Sequence, residues 1–192
     1  LIVNDDNVFP DKWDEKMMSH VLQQNDKFVL TPRQIEPTGP SIFDFNIKDF
    51  GRDAKDFRYD DYIEYEKSIS QQKLSDGGEI FPFLMKKKYY MAVGGFDLIY
   101  PSPFICDWDF FLKLELIGCK FKMSHGTHFY HFGSKATKNR DDNQEREEFT
   151  ESEVLASQLF YNKWGFQPMR HSNNSHSPGD YVHGIKFPNN KR

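Results

Sequence analysis

Four groups of residues are of types that do chemistry. Asn4-Asp5-Asp6 sets an amide and two carboxylates in one polar turn, directly after the apolar run Leu1-Ile2-Val3. Clustered oxygen donors of this kind suit a hard divalent cation such as Mg²⁺ or Mn²⁺. The same residues can equally form an Asx turn that caps the next helix. Cys106-Asp107-Trp108-Asp109 opens an apolar helical pattern. Residues two apart on a helix point in different directions, so Asp107 and Asp109 cannot serve one ligand together. One can be an N-cap and the other a functional carboxylate. A helix N-terminus keeps a carboxylate ionised without making it a better base, so a general-base role for Asp107 requires tuning by desolvation or by substrate. His125, His128 and His131 recur every three residues. On a helix they would form a zinc face, but among Phe, Tyr, Thr and Gly they read as strand and turn. A strand sends His128 and His131 to opposite faces, which leaves a single imidazole as metal ligand or phosphate contact. Lys135, Lys138 and Arg140 follow Gly133-Ser134 and either close over a phosphorylated ligand or form a solvated loop.

The elements that must position these groups follow from pattern and punctuation. Leu1 to Val3 reads as a strand. Pro10-Asp11 opens a helix capped by Asp11, with Trp13, Met17 and Val21 on one face and Met18 and Leu22 widening it. Asn25 is its stop, and Lys27 to Thr31 reads as a short strand ended by Pro32. Residues 33–79 are the least regular stretch, with a short helix near Tyr62 to Ile69. Ile80 to Val93 reads as a strand followed by a basic turn, Lys86-Lys87-Lys88. Gly94-Gly95 then requires a tight backbone. A helix over Asp107 to Ile117 stops at Gly118. Strands over 120–123 and 127–130 flank a turn at Gly126, and a last helix over Glu151 to Lys163, with Val154, Leu155 and Leu159 inward, stops at Gly165. Strands alternating with helices give an α/β or mixed class, whose sites lie at strand ends.

Composition bounds the function. The chain has 192 residues, enough for one domain with a real core. A net charge of −4 gives no basic field for nucleic acid. Mean hydropathy is −0.75, yet aromatics make up 16% with 19 Phe, so the sequence can build a core. No apolar run approaches the ~20 residues of a membrane span. Two cysteines, Cys106 and Cys119, are too few for a disulfide framework and fit a reducing, cytoplasmic setting. The polar stretch from Met169 to Arg192 reads as a tail after a domain over residues 1–168.

In order along the chain, these pieces resemble family 2 glycosyltransferases with the GT-A fold. Leu1 to Trp13 resembles the family's strand, acidic turn, Pro and Trp-bearing helix. Gly94-Gly95-Phe96-Asp97 is similar to its Gly-Gly-Phe-Asp segment. Cys106-Asp107-Trp108-Asp109-Phe110-Phe111-Leu112-Lys113 resembles its Glu-Asp-x-Asp-Leu-x-x-Arg helix start. His131-Phe132-Gly133-Ser134 is similar to its His-x-Gly-Ser, and Lys163-Trp164-Gly165 to its closing Lys-Trp-Gly. The resemblance implies a Rossmann-like GT-A domain whose opening strands precede Leu1. It implies sugar transfer, with inversion, from a nucleotide-diphospho-sugar donor to a hydroxyl of a glycan or other acceptor, assisted by Mn²⁺ or Mg²⁺. Asp6 would be the principal metal ligand, with Asn4 and His131 at the same site. Asp107 would be the general base. Asp5 and Lys135 would contact the donor, Gly94 and Gly95 would let the acceptor approach the backbone, and Trp108 and Asp109 would shape its pocket. The chain departs from the family at three positions: Asn4 stands where Asp is frequent, Cys106 where an acid is usual, and Lys113 where Arg is usual. Two other readings use the same residues. One is a transferase-like module that binds a sugar or partner without turnover. The other is a metal-dependent phosphoester hydrolase, which leaves the Gly-Gly-Phe-Asp and Lys-Trp-Gly segments without a role.

Overall fold

A computed structural model describes residues 1–22, 24, 27–38, 46–78, 81–101, 103–133 and 143–166. In chain order these form β1 (Asn7–Val8), α1 (Trp13–Val21), β2 (Phe28–Glu36), β3 (Asn46–Ile47), α2 (Tyr59–Ile69), β4 (Leu74–Asp76), β5 (Leu84–Met85), α3 (Lys87–Ala92), α4 (Pro103–Leu116), β6 (Lys120–His131) and α5 (Asn143–Trp164). Lys135, the rest of its basic loop, Asn25 and the tail from Met169 lie outside the described residues. The class is α/β, with one mixed, open sheet. Its central path runs β1-β6-β2-β3, with β4 added to β6 and β5 to β2. Among the described residues no helix is long and apolar enough to cross a membrane.

The parallel pair β2–β6 is the frame. Phe28 lies opposite Lys120, and the ladder continues to Ile35 opposite Tyr130. The proline expected to end β2 does not. Pro32 has no N–H to give the ladder. The register shifts between Pro32 and Arg33 instead, leaving His125, Gly126 and Thr127 outside the pairing. One irregularity thus joins the two strands read at 120–123 and 127–130 into one, and carries β2 on to Glu36. All nine residues of β2 are buried, as a strand covered on both faces must be.

Alternation along β2 divides the core. Phe28 and Leu30 pack with Met17 of α1, and Val29 points the other way, to Phe110, Phe111 and Leu114 of α4. Trp13 and Val21 are partly buried beside Met17. Met18 and Leu22 are exposed, because α1 rests one narrow row on the sheet. Lys12, at a φ of 55° and with no side-chain cap, precedes α1. Asp11, expected as the cap, instead accepts a hydrogen bond from the Tyr59 hydroxyl at 3.3 Å. Beyond the bulge, Ile35 packs with Phe50, Tyr62, Ile63 and Tyr130 under α2. Within α5 the inward residues are Ala156 and Phe160, against Tyr100, Ile105 and Leu112, while Val154 and Leu155 are exposed. Of the apolar run at the start, only Ile2 pairs, in an antiparallel bridge to Phe83. Lys87 and Lys88 begin α3 rather than forming a turn.

Phe110 is fully buried and touches Phe83, Tyr90 and Phe96, with ring centroids 5.7, 5.5 and 4.5 Å away. Phe110→Ala should therefore destabilise the domain by about 3–5 kcal/mol in urea unfolding. A loss below about 1 kcal/mol would mean that this cluster is not the packed core of α4.

Candidate functional site

The parallel strands set two side chains next to each other at their carboxyl ends. Ile35 lies opposite Tyr130, so Glu36 and His131, one residue on in each strand, are neighbours. His131 Nδ1 is 2.7 Å from Glu36 Oε1. The acidic turn is held against the same end of β6. Asn7 of β1 lies opposite His131, and Phe132 donates its N–H to the Asp6 carbonyl at 3.1 Å. Asp6 Oδ2 therefore faces the other ring nitrogen, Nε2, at 3.2 Å. The imidazole sits between two carboxylates and is 7% exposed. Burial alone would lower its pKa. The close contacts and charges of Asp6 and Glu36 outweigh burial and raise it to about 9. Nε2 makes no aligned hydrogen bond among the described residues, so its contact with Asp6 is one of charge and distance.

Asp6 and His131 thus converge, from segments far apart along the chain. Asn4 and Asp5 are exposed in the same turn. The three histidines do not converge. His125 Nε2 is 3.0 Å from Ser75 Oγ, and His128 Nδ1 is 3.4 Å from Ser70 Oγ. Burial, and then the charge of Arg33, push His128 down to about 3, so it stays neutral.

This pair fits a divalent cation in a limited way. A carboxylate and a neutral imidazole are donors that Mn²⁺ accepts, so an ion bound here must displace the proton that Asp6 and Glu36 hold on His131. Glu36 on Nδ1 is the outer partner that ligating histidines commonly have, and it leaves Nε2 facing Asp6. Among the described residues no three His, Cys, Asp or Glu side chains form a ready metal cage. The protein would supply two ligands here, in the manner of sites completed by phosphate oxygens and water.

Asp107 lies inside α4. The helix begins at Pro103, so Asp107 is not the N-cap that its position in the motif suggested. It shares a face with Phe110 and Phe111, three and four residues on. That face packs against Phe83, at 5.7 and 5.3 Å between centroids, and Phe83 is the residue bridged to Ile2 just before the acidic turn. The side of α4 that carries Asp107 is therefore the side that meets the start of the turn. Burial pushes the Asp107 carboxyl up to about 7, while the Cys106 thiol, donating across 3.6 Å, opposes the rise. The Cys106 thiol is itself pushed up to about 12, first by burial and then by the Asp107 charge.

Trp108 and Asp109 face the other way. Trp108 is partly buried against Ile105, Leu112 and Phe160. In place of the pocket wall that the resemblance implies, Asp109 is a fully buried junction. Its Oδ1 accepts from Trp164 Nε1 at 2.8 Å and Tyr100 OH at 3.0 Å, and lies 2.7 Å from Lys163 Nζ. Lys113 Nζ is 3.2 Å from Oδ2 and donates to the Gly95 carbonyl at 2.7 Å. Lys163 also binds Asp97 Oδ2 at 2.7 Å. Gly94-Gly95-Phe96-Asp97, the middle of α4 at Asp109 and Lys113, and the end of α5 are one network. Gly94 and Gly95 have φ of 75° and 69°, as their motif required. A Cβ on Gly94 would meet open space, whereas one on Gly95 would lie 2.8 Å from the Tyr90 hydroxyl. The close approach at Gly95 is made by Tyr90, and only Gly94 is open.

Glu36 was not legible as a site residue, because Pro32 hid the second half of β2. The run from Lys27 to the next proline, Pro37, was the available signal. No family model matches the chain, and no curated protein or solved structure matches it.

Two outcomes follow from this geometry. Gly94→Ala should cost about 1 kcal/mol for the left-handed backbone, and Gly95→Ala about 1–3 kcal/mol more for the clash with Tyr90, as read by thermal unfolding. Equal costs would sink the assignment of Tyr90. For Asp107, the native state keeps a proton that the unfolded chain releases near pH 4. Its contribution is therefore fully present at low pH and is lost as pH rises towards 7. Asp107→Asn should stabilise the protein by roughly 2–4 kcal/mol at pH 8, and the gap should close towards pH 4.

Proposed function

We propose that this chain is part of the catalytic domain of an inverting, metal-assisted glycosyltransferase of family 2 with a GT-A fold. It would use a nucleotide-diphospho-sugar donor and an acceptor hydroxyl. The observation that carries the reading is the meeting of Asp6 with His131 at 3.2 Å, at the carboxyl ends of the central parallel strands. Open α/β sheets bind ligands at that end. The motif order supports the same reading. So does the network that ties the Gly-Gly-Phe-Asp segment to both α4 and Lys163-Trp164.

Asp6 and His131 would hold a Mn²⁺ or Mg²⁺ ion, with Glu36 orienting His131 through Nδ1. When bound, such an ion supplies positive charge to offset that of a departing nucleoside diphosphate. Asp107 takes the proton from the acceptor hydroxyl. The acceptor oxygen forms a bond to the anomeric carbon as the bond from that carbon to the diphosphate oxygen breaks, and the electron pair leaves with the nucleoside diphosphate. A base poised near the working pH accepts a proton without being locked as an acid. The burial that raises Asp107 to about 7 provides that tuning. One base suffices for direct displacement, so no second carboxylate is needed as nucleophile.

The full chain should release nucleoside diphosphate from a matching donor, chosen from a panel, in the presence of Mn²⁺ and acceptor. The rate should rise with pH through about 7, since Asp107 works ionised. Asp107→Asn should lower turnover by roughly 10²–10⁴-fold and leave Mn²⁺ binding, measured by calorimetry, unchanged. Asp6→Ala should weaken Mn²⁺ binding by at least about tenfold. Turnover untouched by Asp107→Asn removes that residue from catalysis. One observation favours the binding-module reading: the Cys106 thiol remains uncharged where the family carries an acid. Donor or sugar binding with no turnover across the panel would select it.

A further inference from the structure

Three large apolar side chains stand in water on one short segment: Met91 is 64% exposed, Leu98 96% and Ile99 48%. They belong to α3 and the loop that follows it. The segment is not loosely attached. Tyr89 is buried, Tyr90 and Val93 pack on the core, and Phe96 lies 6.1 Å from Tyr90 and 4.5 Å from Phe110. Gly95 donates its N–H to the Tyr90 carbonyl at 3.1 Å, folding the loop back onto α3. The inner side of this unit is therefore fixed, and Met91, Leu98 and Ile99 each project into solvent from a rigid support.

The same unit carries the charge. Lys86, Lys87 and Lys88 are exposed, and Lys87 and Lys88 precede Met91 by four and three residues, so they share its face. Lys88 Nζ lies over the Tyr89 ring, 4.9 Å from its centroid. Three successive exposed lysines thus stand on a chain whose net charge is −4. Basic side chains beside exposed apolar ones are the two signals that hold a protein at an anionic bilayer surface. A protein partner would need a larger contact. A stable interface buries about 800 Å² per partner, and three side chains supply a fraction of that.

The geometry points to a peripheral membrane-docking surface: Leu98, Ile99 and Met91 enter the interfacial layer while Lys86, Lys87 and Lys88 bind anionic headgroups. This rests on the exposed unit alone and not on the proposed activity.

Co-sedimentation of the full chain with vesicles tests it. Vesicles of phosphatidylcholine with about one-third phosphatidylglycerol should bind the protein at least tenfold more tightly than phosphatidylcholine alone. Replacing Lys86, Lys87 and Lys88 by Gln should weaken binding by about fivefold per lysine, an effect that shrinks in high salt. Leu98→Ser with Ile99→Ser should weaken it by about tenfold at every salt concentration. Both side chains are exposed, so the double variant should keep the parent's circular dichroism and melting temperature. Failure to bind anionic vesicles overturns the proposal, as does binding that neither variant changes. Capture by soluble polyglutamate in place of vesicles assigns the lysines to an acidic protein partner and also overturns it.

Discussion

Two parallel strands, β2 and β6, run side by side until Glu36 and His131 stand next to each other, and the site is arranged around that pairing. A parallel ladder puts the carboxyl ends of both strands at one edge of the sheet. The chain then needs only a short antiparallel partner, β1, to bring its acidic turn to the same edge. His131 is fixed from two sides, by Glu36 on Nδ1 and Asp6 near Nε2. A buried charge is tolerable there because both neighbours carry the opposite sign. Without the register shift at Pro32, β2 and β6 would fall out of step and Glu36 would not meet the imidazole.

The two acids of α4 illustrate how one helix can serve two environments. Asp107 lies on the helix face of Phe110 and Phe111, and loss of solvation raises its pKa. Asp109, two residues on, is surrounded by Lys113, Lys163, Tyr100 and Trp164. The helical turn alone separates them. The first can exchange a proton near neutrality, and the second is held in place by donors from α5.

Residue type and spacing carried much of this. The helices α1, α4 and α5 were legible from apolar spacing, and α4 and α5 also from their glycine stops; α2 was expected only as a short helix near Tyr62 to Ile69, and α3 was read as strand and turn. The left-handed glycines at Gly94 and Gly95 were legible from their sequence, and the dispersal of the three histidines from strand alternation. The proline misled, because a strand can pass a missing N–H by slipping register, and nothing local marks where it does so. The α1 face of Trp13, Met17 and Val21 was legible and Leu159 of α5 does pack, but Met18, Leu22, Val154 and Leu155, read inward with them, are apolar yet exposed. Hydrophobicity names candidates for burial; the width of the contacting element decides among them. Asp107 shows the same limit. Its type suggested chemistry, but only the packing around it decides its proton affinity.

The junction at Asp109 has a consequence for the order in which the molecule is made. Its partners Lys163 and Trp164 lie near the end of the last described helix, while the loop they steady was synthesised much earlier. A ribosome-bound chain can pair its central strands and close the aromatic cluster, but the buried carboxylate waits for its final cation until that helix leaves the exit tunnel. The Asp97 side chain, which shares Lys163, is thus among the last groups of that loop to be held, although it lies in the middle of the sequence.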